Sequence, residues 1–205
     1  MLDHLERKLR QMYAALGDVR DSDIASVMTS IIETPQLVSI SIDFNANSDP
    51  IELHNRATLL VGNIACLKDH LKAWCKRRSL SFEGEKLIDG DKAVAIVHDL
   101  WNMDKHFELD RPPRSGHRPR LQNIRTVMQL SAAGQAGSNV FVVLDPKNGK
   151  LVTRSKGGGT SSLVLSAEVV DETGKSLGDF IDICIRAVTA WEVEFRAAGV
   201  PVPVP

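Results

Sequence analysis

The sequence predicts an α+β fold: an N-terminal antiparallel helical bundle, a small antiparallel β-sheet and a closing C-terminal helix. Three observations carry that reading. Two matched apolar stripes at helical spacing lie between residues 51 and 107, short strand-like segments separated by turn residues lie between 121 and 170, and a last helical stripe spans about 178–198. A chain of 205 residues suffices for one ordinary domain or two small ones sharing a core. Its 43% hydrophobic and 25% charged residues make a globular composition.

Each element has its own signal. Leu5, Leu9, Met12 and Leu16 recur in steps of three and four, so Leu2 to Leu16 reads as an amphipathic helix that Gly17 stops. A second short helix is expected from Asp21 to about Ile32, ended by Thr34-Pro35. Val38, Ile40, Ile42 and Phe44 then alternate with Ser39, Ser41 and Asp43, which predicts a strand near 37–44 with one dry face. Asn45, Asn47, Asp49 and Pro50 form a loop that opens the next helix. From about Ile51 to Arg78 the stripe Leu53, Ala57, Leu60, Ile64, Leu67, Leu71 and Trp74 is unbroken. Ala93, Ile96, Leu100, Met103 and Phe107 repeat the spacing on a helix starting near Asp91. Two such stripes joined by a short connection pair antiparallel in a bundle. Val94, Val97 and Trp101 give the second helix another apolar flank, which the sheet, the last helix or a second chain must cover.

The composition shifts after Asp110. Residues 111–120, RPPRSGHRPR, hold four arginines, one histidine and three prolines without an acid, and prolines at that density favour extended backbone. Leu121 to Leu130 fits helix or strand. Asn139 to Leu144 and Leu151 to Arg154 flank Asp145 to Gly149, a hairpin turn. Leu163 to Val170 is another strand, followed by a turn at Asp171 to Gly174. The closing helix places Phe180, Cys184, Ala187, Val188, Trp191 and Phe195 on one face. The expected organisation is therefore a mainly helical segment 1–110, a connection 111–120, hairpins with the closing helix over 121–198, and an extended tail 199–205.

Several function classes lack support. With 25 basic and 26 acidic residues the net charge is −1, so any nucleic-acid binding must come from a local patch. Cys66, Cys75 and Cys184 form neither a zinc ribbon nor a disulfide framework, and no signal peptide or membrane span is evident, so a cytoplasmic protein without membrane association is expected. His98 and His106 lie about 80° apart around their helix, too wide for a shared tetrahedral ion with Asp69 or His70, and no metal or other cofactor is expected. Lys156 precedes the glycines Gly157 to Gly159 instead of following them, which reads as a hairpin tip and not a phosphate cradle.

Functional side chains concentrate in HDLWNMDKHFELDRPPR. At about 100° per residue, Asp99, Asn102 and His106 fall within roughly 60° of one another at the edge of the apolar stripe. A carboxylate, an amide and an imidazole sharing a groove could move a proton, and Lys105 stands next to the histidine. Arg111, Arg114, Arg118 and Arg120 could grip phosphate oxygens, or could pair with carboxylates such as Glu108 and Asp110.

The segment Trp101-Asn102-Met103-Asp104-Lys105-His106, near the end of a bundle helix, resembles the HEPN superfamily of helical-bundle domains over about residues 50–110. Many members are dimeric, metal-independent ribonucleases of toxin–antitoxin and phage-defence systems, with an arginine, a polar residue and a later histidine as signature. Asn102 and His106 match the last two, whereas Trp101 stands at the arginine position. The resemblance implies a non-catalytic or regulatory binding module, working as a homodimer or with a protein partner and with RNA as a ligand it could take. The alternatives are a metal-independent ribonuclease using His106, Asn102, Asp99 and Lys105, and an oligomeric scaffold.

Overall fold

The structure, a computed structural model, describes residues 2–20, 28–34, 37–43, 49–106, 111–131, 137–145 and 150–203. It is a mixed α+β protein. In chain order the elements are α1 (Leu2–Arg20), β1 (Met28–Thr34), β2 (Leu37–Asp43), α2 (Pro50–Ala65), α3 (Leu67–Arg78), α4 (Gly84–Gly90), α5 (Lys92–Lys105), β3 (Arg120–Ser131), β4 (Asn139–Asp145), β5 (Lys150–Lys156), β6 (Thr160–Val170), β7 (Ser176–Asp179) and α6 (Phe180–Ala197). Among the described residues no helix is long and apolar enough to cross a membrane.

The chain forms two compact units. The first comprises Met1–Gly17, His54–Ile124 and Ser166–Pro205, and the second Asp18–Leu53 and Arg125–Leu165. This division is not the succession of segments expected from composition. Long strands β3 and β6 each begin in one unit and end in the other, so neither unit is a continuous stretch of chain.

The first unit is built on the stripes legible in the sequence. Leu5, Leu9 and Met12 of α1, Leu60 and Ile64 of α2, Leu67, Leu71 and Trp74 of α3, and Ile96 of α5 are all buried. Two helix boundaries differ from expectation. The stripe from Leu53 to Trp74 is divided at Cys66, where Asp69 N donates to Cys66 O three residues back, so a single tight turn separates α2 from α3. Helix α1 passes Gly17 and ends at Arg20, because Val19, which is fully buried, continues the apolar face one turn further.

Helix α5 has Val94, Ala95, Ile96, Val97, Asp99 and Leu100 buried, which is more than one face. Its principal helical neighbour is α6; Val94 and Val97 of the second apolar flank are buried and Trp101 is half-buried. Helix α2 also lies against α5: a Cβ built on Gly62 would come 2.8 Å from the Trp101 ring. Every residue of the expected α6 stripe (Phe180, Cys184, Ala187, Val188, Trp191, Phe195) is buried. The Asp179 side chain caps α6 by accepting from Asp182 N at 3.0 Å, and the Tyr13 hydroxyl of α1 donates to Glu192 on it. At its other end Gly199 takes φ 70° and Val200 N donates to Phe195 O at 2.9 Å, a left-handed stop that buries Val200. The beginning of the 199–205 segment is thereby docked.

Strands β3, β6 and β7 form one sheet in that order, with β6 and β7 antiparallel and a register shift at Val169/Val170. In the second unit β1 pairs antiparallel with β2, and β4 with β5. The expected helix from Asp21 to Ile32 is corrected at its end: Met28 to Ile32 belong to β1, and residues 21–27 lie outside the described residues. Ile31, Ile32, Thr29 and Thr34 are β-branched, and the Thr34↔Leu37 pairing closes a hairpin that outweighs the helical spacing. The segment Leu121–Leu130 resolves as strand within β3. Gly157 and Gly158, at φ 64° and 84°, turn the chain from β5 into β6.

The contribution of the α6 face is testable. Phe195→Ala should lower the unfolding free energy in urea by about 3–5 kcal/mol, since a fully buried ring is replaced by a cavity.

Candidate functional site

The site begins with the cap of α5. Asp91 accepts from Val94 N at 3.0 Å and fixes where the helix starts, so Asp99 falls two turns later on a side closed to solvent, with 1% of its surface exposed. A buried carboxylate must find donors or pay a desolvation cost of several kcal/mol. Asp99 finds three, all in the arginine loop: Arg114 N donates to Oδ1 at 3.1 Å, and Ser115 N and Oγ donate to Oδ2 at 2.7 and 2.6 Å. Ser115 Oγ in turn accepts from His117 N at 3.3 Å.

The loop of residues 111–120 is therefore not a bare linker. Arg114 pairs with Glu85 at 2.8 Å and Asp89 at 2.9 Å on α4, and Arg118 N donates to Glu172 Oε2 at 3.0 Å. Pro119 is buried, while Arg111, Arg118 and Arg120 stay exposed. Three of the four arginines expected as phosphate contacts thus face solvent, and Arg114 is engaged with carboxylates.

The remaining residues of the expected groove take separate partners. Asn102 Nδ2 donates to His98 Nδ1 at 3.0 Å. His106 ends α5, its N–H donating to Asn102 O at 3.0 Å and its side chain exposed. Lys105 Nζ lies 5.9 Å from the centre of the Trp101 ring. The side chains of Asp99 and Asn102 go to different partners, and seven residues separate the Asp99 carboxylate from the His106 imidazole by about 10 Å along the axis. His98 and Asn102 form the polar pair that remains on this face. Burial lowers the His98 pKa, Lys68 and Arg114 lower it further, and Asp99 and Glu85 oppose them, so the site favours the neutral ring.

Two clefts adjoin α5. One of about 280 Å3 is lined by Val61, Leu100 and Met103 beneath His54, Asp104 and Arg120, with His54 Nε2 at 4.0 Å from Asp104 Oδ1. The other, of about 410 Å3, lies where Trp101 meets Gly62, beside Cys66 and His70. His70 sits edge-on to His4 with ring centres 5.3 Å apart, and burial, Lys8 and His4 lower its pKa.

Sequence reasoning passed over one constellation. His117, Asp171 and Glu172 each offer a ligand atom within 4.8 Å of the others. The only sequence signal was the Asp171–Gly174 turn, and nothing in the spacing linked it to the histidine. Comparison with protein-family models, curated proteins and solved structures gives no match for this chain.

Two outcomes follow from this geometry. Asp99→Ala leaves buried amide donors unpaired and should cost about 3 kcal/mol in urea denaturation, with trypsin cutting after Arg114 sooner than in the wild type. His98, with a native pKa below the ordinary histidine value of 6.5, contributes stability that is fully present above pH 6.5. That contribution is lost as pH falls through the depressed native value, because the unfolded chain binds the proton first. Denaturation of wild type and His98→Gln from pH 7.5 to 5 should show the wild type losing more stability than the variant.

Proposed function

We propose that this chain is a non-catalytic, HEPN-like binding module whose contact surface is the arginine loop of residues 111–120. The observation that carries this reading is the Asp99 carboxylate, which is buried and wholly given to the backbone and hydroxyl of that loop. Metal-free RNA cleavage needs a proton-moving group and a cation converging on one phosphate. Here Trp101 stands at the position of the superfamily's arginine and packs on Gly62, and the Asn102 amide is bonded to His98.

The loop has what a phosphate surface needs. Arg111, Arg118 and Arg120 are exposed on a backbone pinned at Arg114, Ser115 and Arg118, so little chain entropy is left to lose on binding. Guanidinium forks match phosphate oxygens. The loop carries no phenylalanine, tyrosine or tryptophan, which suits contact with the sugar–phosphate chain of RNA more than the reading of its bases.

Fluorescence anisotropy with a labelled single-stranded RNA tests this. The wild type should bind at low salt, and Arg118→Ala/Arg120→Ala should bind roughly tenfold more weakly with a salt slope shallower by about 1.4, the loss of two phosphate contacts. RNA incubated with the wild type and a chelator should stay intact. Cleavage that disappears in His106→Ala would establish the ribonuclease alternative with His106, Asn102 and Lys105, and absence of binding at low salt would reject the loop as an RNA surface.

A further inference from the structure

The fixed arginine loop carries His117 up to the turn between β6 and β7. In that turn Asp171 is buried, with 5% of its surface exposed, and its Oδ1 accepts from Thr173 N at 2.9 Å, Thr173 Oγ1 at 2.6 Å and Lys175 N at 2.9 Å. Glu172, the next residue, is exposed and takes Arg118 N–H on Oε2. Because Arg118 follows His117 directly, this bond holds the imidazole beside both carboxylates. Among the described residues the His117 ring makes neither a hydrogen bond nor an ion pair, although one of its nitrogens and an oxygen of each carboxylate lie within 4.8 Å of one another. Three ligand atoms gathered from two distant segments, close together yet unjoined, have the spacing of groups around a common centre.

We propose that His117, Asp171 and Glu172 form a divalent transition-metal site, with Zn2+ as the fitting ion, that clasps the arginine loop to the β6–β7 turn. The donor set selects the ion class. Magnesium and calcium prefer shells of oxygen alone, whereas an imidazole nitrogen with two carboxylates suits zinc and its neighbours. Zinc bonds of about 2.0–2.2 Å require the three atoms to draw inward, and the exposed Glu172 side chain has room to do so. Three protein ligands leave the fourth position to water.

Supporting bonds of the kind that orient metal ligands are in place. Thr173 and Lys175 hold Asp171 by one oxygen and leave the other to the ion, and the Arg118 amide does the same for Glu172. The site stands on geometry that does not depend on RNA binding by the loop.

Metal-free full-length chain is titrated with Co2+, followed by its visible absorption, and with Zn2+ by calorimetry. The expected result is one ion per chain, Co2+ displaced by Zn2+ and not by Mg2+ at the same concentration, and slower tryptic cleavage within residues 111–120 in the loaded protein. His117→Ala and Glu172→Gln, checked for native circular dichroism, should each weaken binding roughly tenfold or more. Asp171 is left intact because its turn depends on it. His4→Ala, which removes a histidine exposed on α1, should bind like the wild type. Equal affinity in the wild type and His117→Ala, loss of binding in His4→Ala, or displacement by Mg2+ would each overturn the assignment.

Discussion

The first unit is organised by a negative charge taken out of water. Asp99 lies inside α5, between residues that bury against α2 and α6, and its burial would be prohibitive without three donors at hydrogen-bond distance. Those donors belong to a proline-rich segment with no helix or strand of its own. The carboxylate therefore acts as a template: the chain after α5 must return across the helix and present two successive amides and a hydroxyl to it. Once it has done so, Arg114 reaches α4, Arg118 reaches Glu172, and Pro119 is covered. Strand β3 then starts from a fixed point at Arg120.

A continuous set of polar links follows from that one residue. It runs from α5 through Ser115 and Arg118 to the Asp171–Lys175 turn, and the strand after the turn delivers Asp179 to the start of α6. Helix α6 then packs on α5, closing the circuit with apolar contact. The sequence stretch that composition marks as a break is thus one of the tightest joints of this unit. Local propensity points to an extended linker, but the segment turns at Arg114 and Ser115, with Gly116 N donating to Pro113 O at 3.2 Å and Gly116 at φ 76°. What makes it ordered is a side chain on the preceding helix.

Elements whose apolar residues repeat at a fixed period were readable directly, as the buried faces of α1, α3 and α6 demonstrate. The misread segment, Met28 to Ile32, has β-branched residues that satisfy both a helical and a strand pattern, and its pairing with Ser39 to Asp43 decided between them. The candidate groove failed to assemble for a different reason. A helical projection keeps the angle of Asp99, Asn102 and His106 and discards their height, so three residues adjacent in projection need not touch. His98, one residue before the carboxylate, is what Asn102 meets instead. His117 could not be tied to Asp171 and Glu172 at all, because their proximity exists only after Asp99 has set the course of the loop.

Helix α6 ends on a left-handed glycine followed by a residue that plugs the core, with Trp74 Nε1 donating to Ala198 O at 3.4 Å just before it. The residues just after α6 are consequently a seam of the core and not a loose appendage. A shortened protein cut before Val200 would unstitch the last turn of α6 and wet the Phe195 pocket, whereas an affinity tag joined after Pro203 begins beyond the stitch.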